Sequence, residues 1–157
     1  LTSSLVVDGG ADTSGDTLQV TSDASVLDGA LANVSNVEIL KLSGDAGDNA
    51  QNVVLAANAE TAGLREVDTT AVGATDAVTL DASAFDNVLS VNTGAGNDVI
   101  ELGAGGSVVN AGDGDNSIVV GAANDGVDDD DISTGSGADL ISLLASRLTG
   151  SLSLAAG

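Results

Sequence analysis

From Thr93 to Ser142 the chain repeats itself every nine residues. Residues 93–101 read T-G-A-G-N-D-V-I-E, residues 102–110 read L-G-A-G-G-S-V-V-N, and residues 111–119 read A-G-D-G-D-N-S-I-V. Residues 120–133 make a unit of fourteen, nine plus an insertion of five. Residues 134–142 then return to T-G-S-G-A-D-L-I-S. Glycine fills places two and four in four units: Gly94 and Gly96, Gly103 and Gly105, Gly112 and Gly114, Gly135 and Gly137. Place eight is Ile100, Val109, Ile118, Ile132 and Ile141, which takes four of the chain's five isoleucines. Place six is Asp98, Ser107, Asn116, Asp130 and Asp139. A unit this short cannot enclose a core of its own. It has to stack on its neighbours, which restricts the chain to a repetitive, one-dimensional architecture.

Composition agrees. Of 157 residues 43% are hydrophobic, but the only aromatic is Phe85. A globular core of this size would use aromatic side chains, because each buries a large area. Thin layers filled by Val, Leu, Ala and Ile do not need them. The acids are twenty Asp against four Glu, and Asp with Gly and Asn marks turns rather than helix interiors. The apolar content is too high for a disordered chain.

Short strand-like clusters run along the whole sequence. They fall at residues 4–7, 17–21, 37–42, 52–56, 64–68, 77–80, 89–91, 99–102, 108–110, 117–120, 131–133, 140–144 and 152–154. Most centres are about nine to fifteen residues apart, the rhythm of a sandwich, a barrel or a β-helix. Asp8-Gly9, Asp28-Gly29, Asp113-Gly114 and Asp125-Gly126 leave hairpins open as a possibility. Residues 23–33 and 57–62 read as helical excursions, and residues 140–148 as a helix or a last rung. The expected fold class is all-β, a right-handed parallel β-helix or β-roll solenoid. With roughly 20 residues per coil and about 4.8 Å between strands, it would be a rod about 35–40 Å long.

The nonapeptide resembles the RTX repeat G-G-x-G-x-D-x-U-x of calcium-binding β-rolls. That resemblance implies a six-residue turn, a three-residue strand with U pointing inward, and two units per coil. It also implies Ca2+ between turns stacked on one edge, held by place-six carboxylates and by backbone carbonyls of the glycine-rich turn. Calcium takes six to eight oxygens at about 2.3–2.6 Å, which suits such a set. Carried over, turns eighteen residues apart stack. One edge holds Thr93, Gly94, Ala95, Gly96 and Asp98, then Ala111, Gly112, Asp113, Gly114 and Asn116, then Gly135, Gly137 and Asp139 once the insertion loops out. Asp115 is a further candidate. Asp130 lies on the other edge above Ser107, which departs from the consensus, as does the first place of each unit (Thr, Leu or Ala). The resemblance covers residues 93–142, a third of the chain. The N-V-E-I-L-K-L phrase at residues 36–42 and T-L-D-A-S-A-F at residues 79–85 resemble the longer solenoid rungs of bacterial surface-layer proteins and large secreted adhesins.

The chain therefore divides into residues 1–92, rungs without nonapeptides; residues 93–142, an RTX-like roll; and residues 143–157, a terminal rung, cap or assembly segment. Leu rather than Met opens it, as in a piece of a longer protein. With no Cys or His there is no disulfide, no zinc-thiolate site and no Ser-His-Asp chemistry. One aromatic and three cations (Lys41, Arg65 and Arg147) against 24 acids argue against nucleic-acid binding. No apolar run reaches membrane-spanning length, and no signal peptide opens the chain. Sugar cleavage by paired carboxylates is set aside for want of aromatic platforms. The expected function is structural and not enzymatic: a calcium-stabilised unit of a bacterial surface layer or extracellular filament, exported by type I secretion and self-associating. The alternatives are a spacer or adhesion region of a giant RTX adhesin, or the calcium-folding module of a secreted hydrolase or toxin.

Overall fold

The computed structural model describes residues 6–11, 15–22, 25–44, 50–73, 75–121, 129–143 and 152–157. Its strands are β1 (Val7–Asp8), β2 (Thr17–Val20), β3 (Ser25–Val26), β4 (Val34–Ser35), β5 (Ile39–Leu42), β6 (Gln51–Val54), β7 (Glu66–Asp68) and β8 (Val78–Asp81). These are followed by β9 (Leu89–Asn92), β10 (Val99–Leu102), β11 (Ser107–Asn110), β12 (Ser117–Val120), β13 (Asp130–Ser133), β14 (Leu140–Leu143) and β15 (Leu152–Ala155). From β5 onward successive strands alternate between two sheets, ordered β14-β12-β10-β8-β6-β3 and β15-β13-β11-β9-β7-β5-β2. A small third sheet pairs β1 with β4. Every described strand pair is parallel. The molecule is a parallel β-solenoid, and no Asp-Gly pair within the described residues closes a hairpin. Asp113-Gly114 lies in a stacked turn and Asp28-Gly29 opens a 3-10 helix.

Inward side chains stack in columns. In the six-stranded sheet one column runs Val26, Val53, Leu80, Ile100, Ile118, Ile141. In the seven-stranded sheet the matching column runs Leu18, Leu40, Val67, Val91, Val109, Ile132, Leu154. The place-eight residues of the nonapeptide are members of these two columns, and all but Ile141 are buried. Strand alternation sends Val99, Val108 and Val119 outward. Phe85 is buried in the core.

Coil length is not constant. Stacked partners are 18 residues apart at Asp98 and Asn116 but 23 apart at Asn116 and Asp139, and 27 apart at Lys41 and Asp68. The longest coils carry α1 (Ala57–Ala62), which buries Ala59 and Ala62 and ends on Gly63 in the left-handed region at φ 96°. Asp28 secures its start: the carboxylate accepts the N–H groups of Ala56 (2.8 Å), Ala59 (2.9 Å) and Asn58 (3.2 Å), and the Asn58 side-chain amide (2.8 Å). The helix expected over residues 23–33 is instead β3, a 3-10 turn at Asp28–Leu31 and β4. Single-turn geometry suffices there, because the segment has only to bury Leu31 before rejoining the stack. Residues 140–143 form a rung, while the rest of the 140–148 segment and residues 1–5 lie outside the described residues.

Candidate metal centre at the stacked turns

Three turns lie one above another where the seven-stranded sheet hands over to the six-stranded one: residues 93–98, 111–116 and 134–139. The glycines permit this. A Cβ on Gly112 would collide with the Gly94 carbonyl oxygen, and one on Gly114 with that of Gly96. Gly137 stands in the same relation to the Gly114 carbonyl. Positive φ occurs at Gly112, Gly114 and Gly137 but not at Gly94, Gly96 or Gly135. Close backbone approach is therefore the commoner requirement at both places, Gly94 excepted, where a Cβ would meet nothing nearer than 3.7 Å, and left-handed geometry only an occasional one.

Place six stitches the turns together. Asp98 Oδ1 accepts the Val78 N–H at 2.8 Å, Asn116 Oδ1 accepts the Asp98 N–H at 3.0 Å, and Asp139 Oδ1 accepts the Asn116 N–H at 3.0 Å. On the opposite edge Asp130 Oδ1 accepts the Ser107 N–H at 3.0 Å. Each side chain thus reaches one coil back. Places three and five stitch the other way: Asn97 Oδ1 accepts the Asp115 N–H (2.9 Å), Asp113 Oδ1 the Ser136 N–H and hydroxyl (both 2.8 Å), and Asp115 Oδ1 the Ala138 N–H (2.8 Å). Asp113 and Asp115 are exposed on the outer rim, apart from Asp98. The Ser136 N–H and hydroxyl together hold Asp113 below the usual carboxylate range.

The place-six groups differ in what they do with their second polar atom. Asn116 Nδ2 donates to the carbonyls of Gly112 (3.3 Å) and Gly114 (3.1 Å) of its own turn. Ser107 Oγ donates to the Gly105 carbonyl at 3.3 Å. Asp98 has no proton to give when ionised. It is 1% exposed, and its Oδ2 is buried with no hydrogen-bond partner among the described residues. Burial pushes its carboxyl above the ordinary value, against the pull of the Thr93 hydroxyl and the Val78 N–H. The Thr93 proton is already committed to the Ala111 carbonyl at 2.8 Å. Asp139 is only part-buried and is held below its ordinary value, chiefly by the Asn116 N–H. Beside it Thr134 Oγ1 is buried, lowers the Asp139 carboxyl further, and makes no hydrogen bond of full geometry among the described residues.

The sequence reading passed over Thr134. Its signal is the covariation within one edge: place one is Thr where place six is Asp (Thr93 with Asp98, Thr134 with Asp139) and Ala where it is Asn (Ala111 with Asn116). Ala95 sits exposed at the turn apex. The sequence holds four consecutive acids at residues 128–131, and the fold sorts them: Asp130 is buried at place six, while Asp129 and Asp131 face solvent and Asp128 lies outside the described residues. Asp76 is a buried turn residue whose N–H meets the Gly73 carbonyl at 3.0 Å; Asp48 lies outside the described residues. Lys41, partly open to solvent, pairs with one of the acids: Nζ lies 2.6 Å from Asp68 Oδ2 on the adjacent strand.

The donor set suits a hard cation. A buried carboxylate oxygen lacking a partner needs a proton or a positive ion beside it, and the Asn116 geometry has two turn carbonyls converging on one point. Among the described residues no group of three or more acidic side chains could share an ion. An ion here would draw most of its oxygens from backbone and hydroxyl groups, which calcium accepts. Comparisons with protein-family models, with curated proteins and with solved structures find no match to this chain. Among the described residues no helix is long and apolar enough to cross a membrane. Fold and site together define a parallel β-solenoid whose turns are joined by side-chain-to-backbone ladders.

Proposed function

We propose that this chain is a calcium-stabilised solenoid unit of an extracellular structural assembly, a bacterial surface layer or filament. The observation that carries the reading is Asp98 Oδ2, buried without a partner in a chain of net charge −21. Asp98 would hold the ion with the Thr93 hydroxyl and the carbonyls of its turn. Asp139, with Thr134, Gly135 and Gly137, and Asp130 on the other edge are the further acidic candidates. Calcium supplies charge neutralisation and a tie between coils; the chain supplies the oxygens. An ion that binds only the folded state stabilises it by mass action, about 2.7 kcal/mol at one hundred times Kd. Millimolar extracellular calcium would favour the coiled state, and scarce cytosolic calcium an extended chain suited to type I export.

Self-association is part of this reading. The second reading is a spacer in a large adhesin. It is supported by the unbroken strand pairing from β5 through β15, which makes a continuous rod. Electron microscopy of the purified protein in calcium decides between them. Ordered sheets or filaments that dissolve on chelation are expected, and monodisperse rods would favour the spacer. Identical melting in calcium and in chelator would refute the calcium reading altogether.

A further inference from the structure

The middle turn, residues 111–116, solves with hydrogen bonds from its own side chain the problem that the Asp98 turn leaves open. Asn116 is 2% exposed and does three things at once. Its Oδ1 accepts the Asp98 N–H at 3.0 Å, as Asp98 Oδ1 does for Val78. Its Nδ2 bridges the carbonyls of Gly112 and Gly114 at 3.3 and 3.1 Å. Two carbonyl oxygens about a turn of glycine apart, both pointing at one atom, form a pocket of negative potential that rejects a carboxylate oxygen unless a positive charge joins it. The amide supplies that positive charge as two N–H bonds. Ser107 does the same with one O–H on the opposite edge, at the Gly105 carbonyl.

We propose that Asn116 is a built-in substitute for a cation: its side-chain amide stands where an acidic place-six residue would require an ion, so the Ala111–Asn116 turn is held without metal. The identity of that ion as calcium rests on the function proposed above; the substitution itself does not. The arrangement has an electrostatic rationale. Turns of adjacent coils are about 4.8 Å apart, so divalent ions in every turn would repel strongly. A metal-free turn between the Asp98 and Asp139 turns puts any two ions about 10 Å apart, which roughly halves their Coulomb repulsion. The place-one pairing fits: Ala111 accompanies the amide, whereas threonines accompany the two acids.

Two reciprocal variants test this by far-ultraviolet circular dichroism melting in chelator and in calcium, with ion stoichiometry from titration calorimetry. N116D keeps the Oδ1 acceptor but replaces the amide donor by a charged oxygen. Its melting temperature in chelator should fall about 5–10 °C below wild type. Calcium should restore most of the loss, with one more ion bound per chain. D98N supplies the missing donor and should melt about 2–6 °C above wild type in chelator. N116A, lacking both the acceptor and the donor, should be destabilised, bind no additional ion and gain no more from calcium than wild type does. An N116D protein as stable as wild type in chelator, or weakened with no response to calcium, would overturn the proposal. So would a D98N protein less stable than wild type in chelator. If N116D does not fold at all, D98N still decides. If wild type binds no calcium, the calcium reading fails by itself, while the two melts in chelator still judge the role of Asn116.

Discussion

Ile118→Ala is the sharpest probe of the inward ladder. Ile118 is fully buried and lies in register between Ile100 below and Ile141 above. The substitution removes three carbons. At about 0.8 kcal/mol per buried methylene the transfer loss is about 2.4 kcal/mol. A cavity adds to it, because both neighbours are fixed by their own strands and cannot close in; the total falls at about 3–4 kcal/mol, within the range of about 2–5 seen for such truncations. For a chain of this length each kcal/mol lowers Tm by about 2–4 °C, giving a fall of about 6–16 °C. Val119, the next residue, faces outward and is 37% exposed. Val119→Ala should cost about 0.5 kcal/mol or less and move Tm by under about 2 °C. The assay is paired thermal and urea melts followed by circular dichroism, in the same calcium concentration. Equal shifts, or a larger one for Val119→Ala, would refute the register, since a slip of one residue exchanges the two faces of a strand.

Asp28→Ala should lower stability by about 1–3 kcal/mol, because four N–H donors at the start of α1 lose their acceptor; urea midpoints measure it. Burial opposes the charge on Asp28, but the amides of Ala59, Ala56 and Asn58 outweigh burial and hold its carboxyl below the ordinary 3.8. An acid lowered in the fold contributes stability that is fully present above that ordinary value and is lost as pH falls through the folded value. The gap between wild type and Asp28→Ala should therefore be constant from pH 7 to about 5 and close below 3.8; a gap that persists unchanged at pH 2 would contradict this. Lys41→Met should cost only about 0.2–1 kcal/mol, less in high salt, since the Lys41–Asp68 pair is partly open to solvent. A loss several times larger, insensitive to salt, would mean the pair acts through packing.

Some of this architecture is legible in the sequence because it is periodic. Place eight forms the Ile100, Ile118, Ile141 column, and place six stacks at intervals of 18 residues until the insertion lengthens the coil to 23, which brings Asp139 over Asn116. The helix at Ala57–Ala62 also follows from local composition. The first half hides its columns. Its coils vary in length, from 22 residues between Leu18 and Leu40 to 27 between Leu40 and Val67 and 24 between Val67 and Val91, so no single period runs through its columns and only strand pairing aligns them. Two-residue strands such as β3 and β4 are too short for an alternation to register. Asp28 reads as an ordinary turn residue until the coil above places three backbone amides over its carboxylate. The difference between Asn116 and Asp98 looks like a lapse of consensus in one dimension. In three it separates a turn that satisfies its own carbonyls from one that holds a buried oxygen without a partner.

A crystal grown in millimolar calcium and measured for anomalous scattering tests the central claim most directly. The account predicts an anomalous peak about 2.3–2.6 Å from Asp98 Oδ2, surrounded by oxygens of the 93–98 turn, and none beside Asn116 Nδ2. Density showing Asp98 Oδ2 hydrogen-bonded as a neutral acid, with no peak at any stacked turn, would contradict it.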